Sequence, residues 1–318
     1  MNENPSPTSA GETNPRDAVR ADGMPAAGTT RTPATGRRGG GLRANASMII
    51  GAILVLLIVL LALVSFVWTP YDPSAVDPVA RLQSSSLEHP LGTDKFGRDT
   101  LTWVMYGARI TLMVGLVAVG IALLIGTPIG IIAAVVAQYP WGVWLGAVIM
   151  RANDILLAFP ALLLAIIFAA VYQPGTGPAM VAVGIAAIPG FARVARSGTM
   201  QVLGSEYVRA AKASNRSAPA IAVVHVLPNI AGMVIVQASV AFAISVLAEA
   251  GLSFLGLGTQ APVPSWGRML QESQQFLSTH PELALWPGLF IALAVLGFNL
   301  LGDGLRDRFD PKMEVRRG

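Results

Sequence analysis

The sequence predicts an all-α integral membrane protein with six transmembrane helices and both termini on the cytoplasmic side. Hydrophobic residues fill 53% of its 318 positions and charged residues only 13%. Six apolar runs are long enough to cross about 30 Å of hydrocarbon. Basic residues gather on one side of those runs. Backbone groups in lipid must pair internally, so the runs are helices rather than open strands. Mean hydropathy is +0.59. The chain has no cysteine, which excludes disulfides and thiolate metal sites.

Residues 1–46 are a different material, rich in Pro, Gly, Thr, Ala and Arg without apolar periodicity. They are expected to form a disordered cytoplasmic tail. The tail ends in Arg37-Arg38-Gly39-Gly40-Gly41-Leu42-Arg43, a positive signal that retains it on the inner side. The first span, Met48 to Trp68, is 21 residues long. That exceeds a signal-peptide core and no small-x-small cleavage site follows, so it reads as an uncleaved anchor.

The second span runs from Ile110 to Ala137, with Gly115 and Gly120 followed by a G-x-x-x-G of Gly126 and Gly130 around Pro128. Small residues at that spacing predict close helix contact, with a kink at the proline. Ile155 to Tyr172 gives a third run of 18 uncharged residues. Arg151 and Asp154 precede it and are expected to pair at i,i+3 near the interface, with Trp141 to Met150 lying partly along the surface. After the breaker Gln173-Pro174-Gly175-Thr176-Gly177-Pro178, a fourth span starts at Ala179 to Ala192 and is expected to continue past Arg193 and Arg196. Val226 to Ala248 and Leu283 to Gly302 are the fifth and sixth.

With the amino terminus inside, 17 of the 22 Lys and Arg fall on cytoplasmic segments. The other five are Arg81, Lys95, Arg98, Arg109 and Arg268. This asymmetry sets the orientation. The expected organisation is a tail at 1–46, a membrane domain at 47–311 and a cytoplasmic end at 312–318. Within the membrane domain lie an extracytoplasmic loop at 69–108 and a cytoplasmic loop at 193–225.

Catalytic patterns are sparse. The isolated His89, His225 and His280 lack partners at i+3 or i+4 and suggest no metal site. None of the three Lys follows a Gly, so no P-loop is present. Neither an enzymatic site nor a cofactor is expected. Glu249, near the outer end of the fifth span, faces either a polar pathway or the interface.

The most informative stretch is a charged island, Ser205-Glu206-Tyr207-Val208-Arg209-Ala210-Ala211-Lys212, leading to His225-Val226-Leu227-Pro228-Asn229. Ser205 suits an N-cap, Glu206 suits the positive end of the helix dipole, and Ala210 and Ala211 are strong helix formers. Pro219 ends or restarts the helix. By physics alone this is either a docking helix for a soluble partner or an interfacial helix lying on anionic lipid.

Glu206 to Ala213 together with His225 to Asn229 resembles the E-A-A loop of binding-protein-dependent ABC importer permeases. Further stretches are similar to the C-type subunit of the dipeptide, oligopeptide and nickel branch. They are His89-Pro90-Leu91-Gly92-Thr93-Asp94, Gly97-Arg98-Asp99, Gly107-Ala108-Arg109, Met150-Arg151 with Asp154, and Ala158-Phe159-Pro160. Later come Glu249 to Gly258, Pro264-Ser265-Trp266-Gly267 and Asn299 to Asp307. The resemblance spans roughly residues 47–311. Where the family usually carries Leu-Gly after its E-A-A helix, this chain has Ser214-Asn215; Asn also tolerates a left-handed backbone at a helix end.

The resemblance implies a type I ABC importer permease fold in the cell membrane. It implies a second homologous permease subunit, two cytoplasmic ATPase subunits and an extracytoplasmic substrate-binding protein, with membrane lipid around it and no nucleic acid. ATP hydrolysis would sit on the ATPase subunits. Glu206, Tyr207, Arg209, Ala210, Ala211 and Pro228 would carry coupling, and the cargo would be dipeptides or oligopeptides. Substrate contacts are not assignable, since selection in this family rests largely with the binding protein. Nickel import is the nearest alternative. An ion-coupled secondary transporter would show midplane charges and repeated halves; a membrane assembly protein would need no docking island.

Overall fold

The computed structural model describes residues 40–309. The expected tails at 1–46 and 312–318 fall largely outside that range. Within it, α1 (Gly40–Val67) already begins at Gly40, so residues 40–46 are helical rather than part of a disordered tail. Once an apolar helix is nucleated, good formers such as Leu42, Arg43 and Ala44 extend it cheaply.

Among the described residues six helices are long and apolar enough to cross a membrane. α1 lies at the outside of the bundle against α10 (Glu282–Phe309), with a bare Gly at each crossing. A Cβ on Gly51 would fall 2.4 Å from the Leu301 backbone N, and one on Gly304 would fall 2.4 Å from the Met48 Cβ.

The second helix, α2, runs from Thr100 to Val136 as a single 37-residue element through Pro128. It starts ten residues before the apolar run, because Asp99 caps it: the carboxylate accepts from the Thr102 backbone N–H at 2.8 Å. Residues 100–108, expected in the loop, therefore belong to the helix. α2 packs along α5 (Thr176–Leu203) at its glycines, as the G-x-x-x-G predicts. A Cβ at Gly126 would meet the Ile188 carbonyl oxygen at 2.5 Å, and one at Gly130 the Ala192 oxygen at 2.2 Å. A Cβ on Gly120 would meet no neighbour within 4 Å, so this glycine is not needed for the seam.

The expected third span is broken. α3 (Val143–Ala158) ends at Phe159, and α4 (Ala161–Tyr172) restarts after Pro160. Pro160 has no N–H to continue the ladder and disfavours helical geometry at Phe159. With its short 3₁₀ lead-in, α3 supplies the length to cross, over Pro140–Ala158, while α4 has only 12 residues. Asp154 does not pair with Arg151; its Oδ1 accepts from Arg193 on α5 at 3.0 Å. Position 154 lies on the side of α3 that packs on α5, which an i,i+3 rule ignores.

α5 continues to Leu203, as expected, past Arg193 and Arg196. After α6 (Glu206–Ala213) and α7 (Ala218–Ile221), five residues of π-helix, Ala222–Val226, lead without a break into α8 (Leu227–Phe254). The wider turn fits the first-turn Pro228: Leu227 N–H reaches back to the Ala222 oxygen, and the Asn229 side-chain amide donates to the His225 oxygen at 2.7 Å.

At the end of the bundle away from α6, α9 (Trp266–Ser273) and residues 68–99 form a cap. Arg98 is buried there between Asp94 and Glu272, with its guanidinium 3.5 Å from the Trp103 ring centre. Arg268 joins the same Glu272 at 2.7 Å. His89 Nδ1 lies 3.0 Å from the buried Asp99. Gly97, at φ +77°, lies so close to the Asp77 carbonyl that no side chain fits.

Glu249 faces neither a pathway nor an interface. It is 1% exposed, and its Oε1 accepts from Ser253 Oγ at 2.7 Å and Thr259 Oγ1 at 3.3 Å. Thr176 Oγ1 donates on to Thr259 at 3.1 Å. The carboxyl thus ties the end of α8 to the following loop and to the start of α5.

Candidate coupling site

α6 is a two-turn amphipathic helix laid across the end of the bundle. Val208 and Ala211 point inward and are buried, joining Leu203, Ile221, Val226 and Ile230 in one apolar cluster. Spaced at i and i+3, they give α6 one buried edge. Glu206, Tyr207, Arg209 and Ala210 occupy the opposite, exposed side.

The ends of α6 are fixed by different means. Ser205 occupies the N-cap position but makes no cap hydrogen bond; its hydroxyl instead donates to the Val202 oxygen at 2.6 Å. At the other end Asn215 adopts φ +57°, and the Arg216 N–H returns to the Ala211 oxygen at 3.1 Å. Asn therefore makes the left-handed turn for which Gly is the commonest residue. Lys212 adds a tether, donating to the Gln138 side-chain oxygen at 2.6 Å beyond the end of α2.

The exposed side is a mixed surface. Arg209 and Glu206 approach to 3.7 Å, both in solvent, and such a pair is worth about 0–1 kcal/mol. Tyr207 is half-exposed, with its ring 6.0 Å from the His225 ring. Pro228 is exposed at the mouth of α8. Beside α6, Gln138, Tyr139, Lys212 and Arg216 border a groove of about 170 Å³. The six residues singled out in sequence thus gather at one end of the bundle, but Ala211 faces the core. Its small side chain sets how closely α6 sits on α7 and α8.

Residues 126–315 match the model of the family described as binding-protein-dependent transport system inner membrane component. The chain belongs to that family. The matched region, residues 126–315, holds α6, the π-helical turn and Pro228. The Dipeptide transport system permease protein DppC of Alkalihalophilus pseudofirmus is 43% identical over 86% of this chain and 88% of that protein. The Di/tripeptide transport system permease protein DppC of Pseudomonas aeruginosa is 38% identical, covering 83% and 88%. The Glutathione transport system permease protein GsiD of Pectobacterium atrosepticum is 39% identical, covering 82% and 85%. Among solved structures, the inward-facing MetNI methionine ABC transporter aligns with a TM-score of 0.51 at 15% identity. That alignment covers 63% of this chain and 94% of the other and shows a shared fold.

As an inner membrane component of this family, the protein is a multi-pass membrane permease. Two parts of the site escaped the sequence reading. The signal for Val208 as the inward anchor is that it is the one large aliphatic side chain among the polar residues of α6. The Lys212–Gln138 tether joins positions 74 residues apart and left no signal in local sequence.

Proposed function

We propose that this chain is one of two permease subunits of an ATP-driven importer for dipeptides or oligopeptides. The observation that carries the coupling half is α6 itself. An apolar edge seats it on the bundle while Glu206, Tyr207, Arg209 and Ala210 stand clear for a groove on another protein. The substrate half is supported by the relatives, whose names specify dipeptides, di- and tripeptides and glutathione.

In this reading α6 faces the cytoplasm, in agreement with the distribution of Lys and Arg. Two ATPase subunits beneath the membrane hydrolyse ATP, and one receives α6. Closure of the ATPase pair pushes α6, and Ala211 passes the displacement to α7, the π-helical turn and α8. An extracytoplasmic binding protein delivers cargo to the cap formed by residues 68–99 and α9.

The test is uptake of a labelled dipeptide, of glutathione and of nickel in cells lacking this chain, with and without its return. Peptide uptake restored by the wild type supports the reading. Restoration of nickel uptake alone moves the protein to a metal cargo, and restoration of none overturns the substrate assignment.

A further inference from the structure

A cleft of about 470 Å³ opens between α5, α8 and α10, in the half of the bundle that carries α6. Its walls are largely apolar, with Val236, Val240 and Phe309 among them, and its polar groups are Gln201 on α5, Gln237 on α8 and Arg306 on α10, beside Met233. Its size lies within the roughly 300–1,000 Å³ typical of small-ligand pockets.

Gln237 sits near the middle of the continuous helical stretch Ala218–Phe254, where a lone carboxamide facing hydrocarbon is strongly disfavoured. Yet among the described residues its side chain makes no hydrogen bond, and the same holds for Gln201 and Arg306. Gln237 is only half-buried. Its amide packs against Gly190 on α5, where an added Cβ would come to 3.0 Å from Gln237 Nε2. The two carboxamides and the guanidinium therefore line one cleft leading from the middle of α8 to the end of α10.

Resting on the peptide-importer reading, we propose that this cleft is the segment of the translocation path that holds the peptide main chain. Each carboxamide offers both a donor and an acceptor, which matches the N–H and C=O of a peptide unit independently of side chain. Arg306 meets the terminal carboxylate, for which a planar guanidinium offers two parallel donors. Met233, flexible and apolar, accommodates varied side chains.

The experiment compares the wild type with Q237L, Q237N and R306Q in the full complex in proteoliposomes, using alanyl-alanine and its C-terminal amide as probes. Loss of one neutral hydrogen bond lowers uptake by Q237L roughly three- to tenfold, with partial recovery in Q237N. R306Q selectively lowers uptake of the free acid, so the ratio of acid to amide falls relative to the wild type. Co-purification of the second permease subunit stays intact in both. Normal uptake by Q237L together with an unchanged ratio for R306Q overturns the inference while leaving the importer reading standing. Loss of the second subunit from Q237L also overturns it, by making this face a subunit contact. A wild type that moves no peptide defeats both readings.

Discussion

The Trp266 indole fills the notch that Gly107 leaves in α2. A Cβ on Gly107 would lie 2.4 Å from the ring, and the indole Nε1 donates to the Val104 carbonyl at 2.9 Å. Trp266 is fully buried and holds α9 on the bundle. A side chain at position 107 therefore has to evict the indole.

Gly107→Val is expected to destabilise the protein by about 1–3 kcal/mol, typical of overpacking a filled core. Thermal unfolding of the detergent-solubilised protein reads the loss as a lower Tm. Because the obstructing atoms belong to a side chain, Trp266→Leu in the same molecule should recover part of it.

Arg98 satisfies two carboxylates inside the cap, with 9% of its side chain exposed. Arg98→Ala strips Asp94 of its cation while Arg268 still holds Glu272, so the cost stays below the figure of about 3–5 kcal/mol for a wholly unpaired buried charge. Limited proteolysis of residues 68–99 should accelerate in this variant. An unchanged cleavage rate would refute the role of Arg98 as the clasp of the cap.

Glu249 acts through an oxygen acceptor, so Glu249→Gln, which keeps one, should shift stability by less than about 1 kcal/mol. Glu249→Leu removes the acceptor for Ser253 and Thr259 and should cost about 1–3 kcal/mol. Equal Tm losses in the two variants would show that charge, rather than hydrogen bonding, is what this position supplies.

Ala210 and Ala211 are neighbours with opposite surroundings, exposed and 9% exposed. Ala210→Trp should leave Tm unchanged but abolish co-purification of the ATPase subunits and peptide uptake. Ala211→Trp should lower Tm as well, because the indole must displace α6 from Ile221 and Val226. Full uptake by Ala210→Trp would remove α6 from the coupling role.

Much of this was legible because lipid permits few solutions. The six-span count, the extension of α5 past Arg193 and the close seam at Gly126 and Gly130 follow from length, charge and small residues. The turn at Asn215 follows from backbone preference. The break at Phe159–Pro160 was obscured because every residue from Ile155 to Tyr172 is uncharged, and an evenly apolar run carries no phase. The partner of Asp154 and the burial of Glu249 depend on which helices become neighbours. Local spacing along one helix holds no information about that. The inward turn of Ala211 was missed for a related reason: alanine suits a core and a contact surface equally.

The seam between α2 and α5 carries a genetic consequence. At Gly126 and Gly130 the closest obstacles to a new side chain are the carbonyl oxygens of residues 188 and 192. Every amino acid brings that oxygen, so no codon change at either position removes it. A search for suppressors of Gly130→Val should therefore return no compensating substitution at Ala192. It should yield true revertants or distant stabilising changes, and this stretch of the gene can vary only by keeping its glycines.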